Sequence, residues 1–420
     1  MKAKQRRFQL NNWLWVIVLA MGLSGCRQTA RAGDILDTQV TFEQAVVAEL
    51  PTPAAYRIGI NTEVTGTGAQ IGDLSLRAAR LAIEEINSGG GVNGVPLELV
   101  VRDARSNPAT ALEQYQKAVA EDNLDALLGP FKSAYGVLIV PEHKASRLPM
   151  FIGATNATLT QQGVENLFRM RPSDRLAAPA MLALTQEYLH VKRIGLVHDT
   201  DAFGSGGADA IETGLSRFGL QPAVRLGYQT GITKFDSLVQ KLAAANVDAV
   251  LIYGTNQTDV GHLLRAIRYW DLNAPIVTSP SGSSIVTRNV AAEAQDGIYV
   301  MLDALLTLSP EGQHLQQAFA RRFGLQPDTY IAWYYDAVHL LAAIWREHPQ
   351  AAGPELSRLI RVSDFQGAQG RYCFDARGEG LHSVVLAQMR SGVPEPIGIY
   401  GDKGLDMTPP TAVSCPPEQP

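Results

Sequence analysis

Arg57-Ile-Gly-Ile-Asn61 is a short apolar run, residues 73–87 carry Leu76, Ala79, Leu81, Ile83 and Ile86 on a helical pattern, and Leu97-Glu-Leu-Val-Val101 is apolar again. The first reads as a strand, the second as an amphipathic helix stopped by Gly89-Gly-Gly91, and the third as another strand. A helix set between two buried strands is a βαβ unit, and repeated units of this kind build a parallel sheet. The rhythm continues with a helix over 109–122, strand Ala126-Leu-Leu128, a helix over 134–146 and strand Met150-Phe-Ile152. It restarts at Arg193-Ile-Gly-Leu-Val197. Helices are expected over 206–218, 235–245 and 259–270, with strands over 223–226 and 249–253 and at Ile276-Val277. The fold class is therefore α/β, in two lobes. A later helix over 330–348 and a hairpin-like stretch (370–374, then 383–390) complete it, and no short-period sequence repeat is present.

Upstream, Lys2, Lys4, Arg6 and Arg7 precede the apolar run Trp13-Leu-Trp-Val-Ile-Val-Leu-Ala-Met21, which ends at Leu23-Ser-Gly-Cys26. That is the layout of a secretory signal over 1–26. Its apolar run is shorter than the roughly 20 residues of a spanning helix. Residues 27–55 are polar and then carry Pro51 and Pro53, as a tether would. The chain has 36 basic and 41 acidic residues, and removing the leader's four bases leaves a formal balance of −9. This acidity and the lack of a basic cluster argue against nucleic acid as a partner. Of three cysteines, Cys373 and Cys415 remain once Cys26 is set aside. They are candidates for a disulfide that pins a Pro-rich tail over 406–420, the alternative being two unrelated thiols.

The tetrapeptide ending at Cys26 resembles the lipobox of bacterial lipoproteins, which implies lipid on the Cys26 sulfur and an anchor as the protein's only tie to the membrane. From Tyr56 to about Lys403 the chain resembles the type I periplasmic binding proteins of branched-chain amino acid (Leu/Ile/Val and amide) ABC importers. The matching stretches are Val64-Thr-Gly-Thr-Gly-Ala-Gln-Ile-Gly72, Ala79-Arg-Leu-Ala-Ile-Glu-Glu-Ile-Asn87, Gly90-Gly-Val-Asn-Gly94, Leu128-Gly-Pro130, Gly153-Ala-Thr-Asn156, Val197-His-Asp199 and Phe203-Gly204. The resemblance implies two Rossmann-like lobes joined by three hinge crossings and closing on a small molecule. By analogy lobe I would hold 56–174 plus 304–363, and lobe II 175–303 plus 364–405. It implies a binding protein, not an enzyme, with no cofactor and with ABC permease subunits as partners. A ligand sensor signalling to a membrane partner is the alternative that uses the same closure.

Ligands of such sheets sit beyond the carboxyl ends of the strands, where helix N-termini suit an anion. The family match places Ser133 and Thr155 on a ligand carboxylate and the Ala154 carbonyl on its ammonium. Plain helix capping is the competing role for these residue types. In the far lobe Phe203 replaces a family tyrosine, Asn256 or Gln257 replaces another, and Ser281 stands where a glutamate holds the ammonium. Ile71 replaces a ring beside the ligand. A buried ammonium without an anion costs on the order of several kcal/mol. Unless Asp174, Asp199 or Asp201 substitutes, the expected solute is a carboxylate or amide rather than leucine. Gly66-Thr-Gly68 with Gly72 imitates a dinucleotide fingerprint but lacks its third glycine in register. The eight histidines show no metal-ligand spacing, and no nucleophile elbow is present.

Overall fold

Each lobe is built around its own sheet, in a computed structural model that describes residues 54–408. Cys26, the tether up to residue 53 and Cys415 lie outside the described residues. The first sheet comes from β1 (Tyr56–Thr62), β2 (Leu97–Asp103), β3 (Ala126–Leu128), β4 (Met150–Ile152) and β5 (Leu167–Arg169), all parallel, in the order β2-β1-β3-β4-β5. Between them run α1 (Ala69–Ser88), α2 (Pro108–Glu121) and α3 (Ser133–His143). α1 begins four residues before the expected start at 73, because Gly72 is a packing residue rather than a loop residue. A Cβ there would lie 1.8 Å from the Glu63 carbonyl oxygen, so only glycine lets the helix lie this close to the end of β1. Gly129 serves β3 in the same way. Its φ is +113°, and a Cβ would meet the Asn61 carbonyl at 2.5 Å.

The second lobe opens with α4 (Asp174–Ala183), which the sequence pattern did not reveal, and continues β6 (Ile194–Asp199), α5 (Ala202–Ser216), β7 (Val224–Tyr228), α6 (Asp236–Ala244), β8 (Ala249–Tyr253), α7 (Gln257–Tyr269), β9 (Ile276–Thr278), α8 (Ile285–Ala291) and β10 (Tyr299–Leu302). β8 is buried along its whole length, as its unbroken apolar run requires. The chain then returns to the first core through α9 (Pro310–Phe323), α10 (Trp333–Glu347) and α11 (Gly353–Arg361). Trp345 stacks on Tyr56 of β1 with centroids 4.4 Å apart, which ties this return to the first strand of the lobe.

The closing strands differ from expectation. β11 (Asp364–Gly367) pairs with β12 (Gly370–Cys373), and β13 (Ser383–Arg390) pairs with β10 and with β14 (Val393–Gly401), which carries β15 (Gly404–Asp406) on its other edge. Residues 370–373 are thus not the partner of 383–390. Tyr372, Phe374 and Leu381 pack into the first core. The second sheet reads β15-β14-β13-β10-β9-β8-β6-β7. Cys373, at the end of β12, is disulfide-bonded.

The lobes touch on both sides of the cleft between them. Asn156 Nδ2 donates to the Ala202 carbonyl (2.9 Å). On the other side the buried Asp328 accepts from Ile285 N–H (3.1 Å), Ser284 Oγ (3.2 Å) and Tyr330 Oη (2.9 Å). Burial pushes the Asp328 carboxyl above its ordinary value, although these donors oppose the shift. Folding therefore favours a proton on this group. Its stability contribution is complete below the ordinary carboxylate range and declines as pH rises through the raised folded value. Asp328→Asn is expected to flatten that decline in urea unfolding between pH 4 and pH 8. Asp328→Ala strands the Ile285 N–H and the Ser284 hydroxyl and is expected to cost about 2–3 kcal/mol; an Ala variant as stable as the parent would contradict this account of the contact.

Candidate ligand-binding site

In the first sheet the strand order reverses direction of growth between β1 and β3, and in the second between β6 and β8. Loops leaving the carboxyl ends at such switch points diverge and leave a crevice. The crevices of the two lobes face one another here. A small, partly open cavity of about 30 Å³ lies between them. The first lobe contributes Phe131, Lys132 and Ser133 after β3, Thr155 after β4, Arg171 after β5, and Tyr330. The second contributes Phe203 after β6, Thr255 and Gln257 after β8, and Ser281 after β9.

Ser133 is the first residue of α3, yet it does not cap that helix. The N-cap position is Lys132, with no side-chain capping bond. Ser133 Oγ instead accepts from Asn156 N–H (3.2 Å), so its own proton is left to donate into the cavity. Thr155 Oγ1 faces the Asp174 carboxyl without a well-aligned hydrogen bond and has no other protein partner. The Ser133 hydroxyl and the uncapped start of α3 present donors to one place, and Thr155 lines the cavity beside them. Phe203 and Ser281 also line the cavity, Phe203 with its ring 4.7 Å from that of Tyr253.

Two expected residues do not take the expected part. The Asn256 side chain caps α7 through Thr258 N–H (2.9 Å) and Asp259 N–H (3.3 Å), and its neighbour Gln257 is the one that reaches the cavity. The Ala154 carbonyl accepts from Arg169 Nη1 and is not part of the cavity wall. Arg169 is fully buried; its Nη2 donates to the Asn156 carbonyl (2.9 Å), and Glu379 lies 2.9 Å from its Nε. Arg171 Nη1 holds the Gly153 carbonyl (3.0 Å). Two guanidiniums thus bond to the carbonyls at 153, 154 and 156, and of this turn only Thr155 lines the cavity.

The carboxylates that could have replaced the missing glutamate are elsewhere. Asp174 is buried and accepts from Tyr253 Oη (2.7 Å), and burial pushes its carboxyl upward. Asp199 is buried against Asp201, and burial first, then the neighbouring carboxylate, holds it well above the usual carboxylate range. It accepts from Thr255 N–H, while Asp201 caps α5 at Phe203 and Gly204 N–H (2.8 and 2.9 Å). None of the three lines the cavity. Two cations do: Lys132, paired with Glu63 (2.9 Å), and Arg171, paired with Asp303 (2.5 Å). Ile71 is buried in the first core and away from the cavity.

Sequence reading overlooked Arg171, Lys132, Phe131, Tyr330 and Thr255. The signal for Arg171 was present in Phe168-Arg-Met-Arg-Pro172, where two arginines alternate with an apolar residue at a strand end. Period-two alternation puts both side chains on one face.

Residues 55–394 match a family profile described as periplasmic binding protein. Among curated proteins, the chain is 27% identical over 325 residues to the leucine-, isoleucine-, valine-, threonine- and alanine-binding protein of Pseudomonas aeruginosa, covering 77% of this chain and 86% of that one. It is 26% identical over 328 residues to an amino acid binding protein of the same organism, with the same coverage of each chain. Two solved structures share the fold. One is the branched-chain amino acid transporter substrate-binding protein LivJ of Streptococcus pneumoniae with isoleucine, at TM-score 0.74 and 23% identity over 81% of this chain and 98% of that one. The other is a solute-binding protein of an ABC transporter from R. palustris with benzoate, at TM-score 0.75 and 19% identity over 86% and 99%. Family members of this kind are substrate-binding proteins rather than enzymes. The chain belongs to the periplasmic binding protein family and has the two-lobed Venus-flytrap fold.

Proposed function

We propose that the protein is the extracytoplasmic solute-binding lipoprotein of an ABC importer, which captures a small carboxylate or amide between its lobes and hands it to the permease. The observation that carries this reading is the composition of the cavity wall. Donors come from both lobes, from Ser133, Arg171 and Lys132 on one side and Gln257 and Ser281 on the other, while no carboxylate lines it. A solute that bonds to both walls stabilises the state in which they meet, so capture and closure are one event. The apolar part of the solute would lie among Phe131, Phe203 and Tyr330, which together with Pro280 supply the greasy surface of the cavity. An α-amino acid fits the donors through its carboxylate, but its ammonium would meet Ser281 and a turn whose carbonyls are already engaged.

Lipid on Cys26 would hold the protein at the membrane surface, which raises its local concentration beside the permease. The anchor is proposed from Leu23-Ser-Gly-Cys26 and the charged, apolar leader before it. Fractionation tests it: the wild-type protein is expected in the membrane fraction and Cys26→Ala in the soluble or uncleaved precursor pool. An unchanged, fully processed membrane-bound Cys26→Ala protein would rule the anchor out.

Thermal-shift measurements against amino acids, simple carboxylates and short amides test the solute reading. A solute present at about 100 times its Kd adds about 2.7 kcal/mol and raises the melting temperature by several degrees. Such shifts are expected from carboxylates or amides that lack an ammonium, and not from leucine, isoleucine or valine. Strong shifts from those three amino acids alone would refute the assignment.

A further inference from the structure

Arg171 leaves the first sheet at the first crossing and Asp303 follows β10 at the second. Nε of Arg171 donates to Asp303 Oδ2 (2.5 Å), Nη2 to Oδ1 (3.3 Å) and Nη1 to the Gly153 carbonyl (3.0 Å). A guanidinium has five N–H groups in a fixed fork. These three bonds leave one N–H on each terminal nitrogen without a protein acceptor, and the side chain, 5% exposed, lines the cavity. The rings of Phe131 and Tyr330 lie 5.1 and 5.7 Å from the guanidinium carbon. They keep water off the group, which strengthens any hydrogen bond it makes.

Asp303 explains how a cation can wait in so dry a place. It neutralises the guanidinium along its Nε edge before a ligand arrives, so no uncompensated charge is buried. Because both partners belong to crossing segments rather than to the loops of one lobe, the anchor keeps its place as the lobes swing. The N–H groups left over, one on each terminal nitrogen, are charged donors for a solute carboxylate.

We propose that Arg171 is the specificity-determining residue of this site, receiving the solute carboxylate on its two uncommitted N–H groups and selecting ammonium-free monocarboxylates over both amides and α-amino acids. This deepens the solute-binding reading above and rests on it. An amide would turn one N–H toward a donor-only surface, which is repulsive. An α-amino acid would bring an ammonium to a cavity that no carboxylate lines.

Calorimetry on the detergent-solubilised full chain tests this with two matched pairs, benzoate against benzamide and 4-methylpentanoate against 4-methylpentanamide, and with leucine. At least one carboxylate is expected to bind about 10-fold or more tighter than its amide and than leucine. Arg171→Lys, which keeps the charge but loses the fork, is expected to weaken carboxylate binding roughly 10- to 100-fold. Amide affinity should stay within about 3-fold, so that the preference collapses. A melting curve establishes folding. Should the Lys variant not fold, the double variant Arg171→Gln with Asp303→Asn removes both charges together and is expected to erase the same preference. A folded variant that keeps the carboxylate-to-amide ratio, or loses both solutes equally, overturns the role of Arg171. So does a wild-type protein that prefers amides or leucine, or binds none of the five probes. The broader solute-binding reading falls only when the full thermal-shift panel also yields no ligand.

Discussion

The turn at Gly153-Ala-Thr-Asn156 is held from behind by two buried guanidiniums, and the character of the whole site follows from that arrangement. Arg169 binds the carbonyls of Ala154 and Asn156, and Arg171 binds that of Gly153. Each arginine is balanced by a carboxylate from a segment distant in sequence, Glu379 for the first and Asp303 for the second. Removing either carboxylate would leave a cation buried without its partner, the costly half of a broken ion pair. The turn therefore depends on long-range closure of the chain: the 374–381 loop on one side and the crossing after β10 on the other.

Fixing those carbonyls decides what the cavity can offer. With the oxygens of the turn bonded to arginine, the neighbouring start of α3 presents Ser133 and its uncapped end beside Thr155. The second lobe adds Gln257 and Ser281 and keeps its acids, Asp199 and Asp201, turned to Thr255 and to the start of α5. The result is a wall rich in donors, which favours solutes rich in acceptors. Contacts such as Asn156 with Ala202, and Asp328 with Ile285, then close the two lobes over the contents without adding charge to the cavity.

The fold was largely legible because its signals are local and repeated. Strands such as Ala249-Val-Leu-Ile-Tyr253 are unbroken apolar runs, and helices such as α1 carry their apolar face at regular spacing. α4 escaped because Pro179 and a run of alanines blur the helical pattern, and the hairpin of β11 and β12 escaped because pairing partners are not encoded by periodicity. In the site, Ser133, Thr155, Phe203 and Ser281 were identified through resemblance, each at a strand-to-helix turn. Asn256 or Gln257 could not be separated in the sequence, because capping and ligand binding call for the same residue type; geometry puts Asn256 on the α7 cap and Gln257 in the cavity wall. The Arg169 partner of the Ala154 carbonyl was not legible because it lies 15 residues away and leaves no trace at the carbonyl's own position. Arg171 was visible as a residue but not as a ligand anchor, since its function depends on Asp303 at the far crossing.

A crystal structure of the protein with its bound solute tests the central claim most directly. The account predicts a solute carboxylate within hydrogen-bond distance of both terminal nitrogens of Arg171, with its apolar body beside Phe131, Phe203 and Tyr330 and no ammonium at Ser281. A solute ammonium seated against Ser281 and met by Asp199 or Asp201, with Arg171 bonded to Asp303 and Gly153 alone, would contradict it.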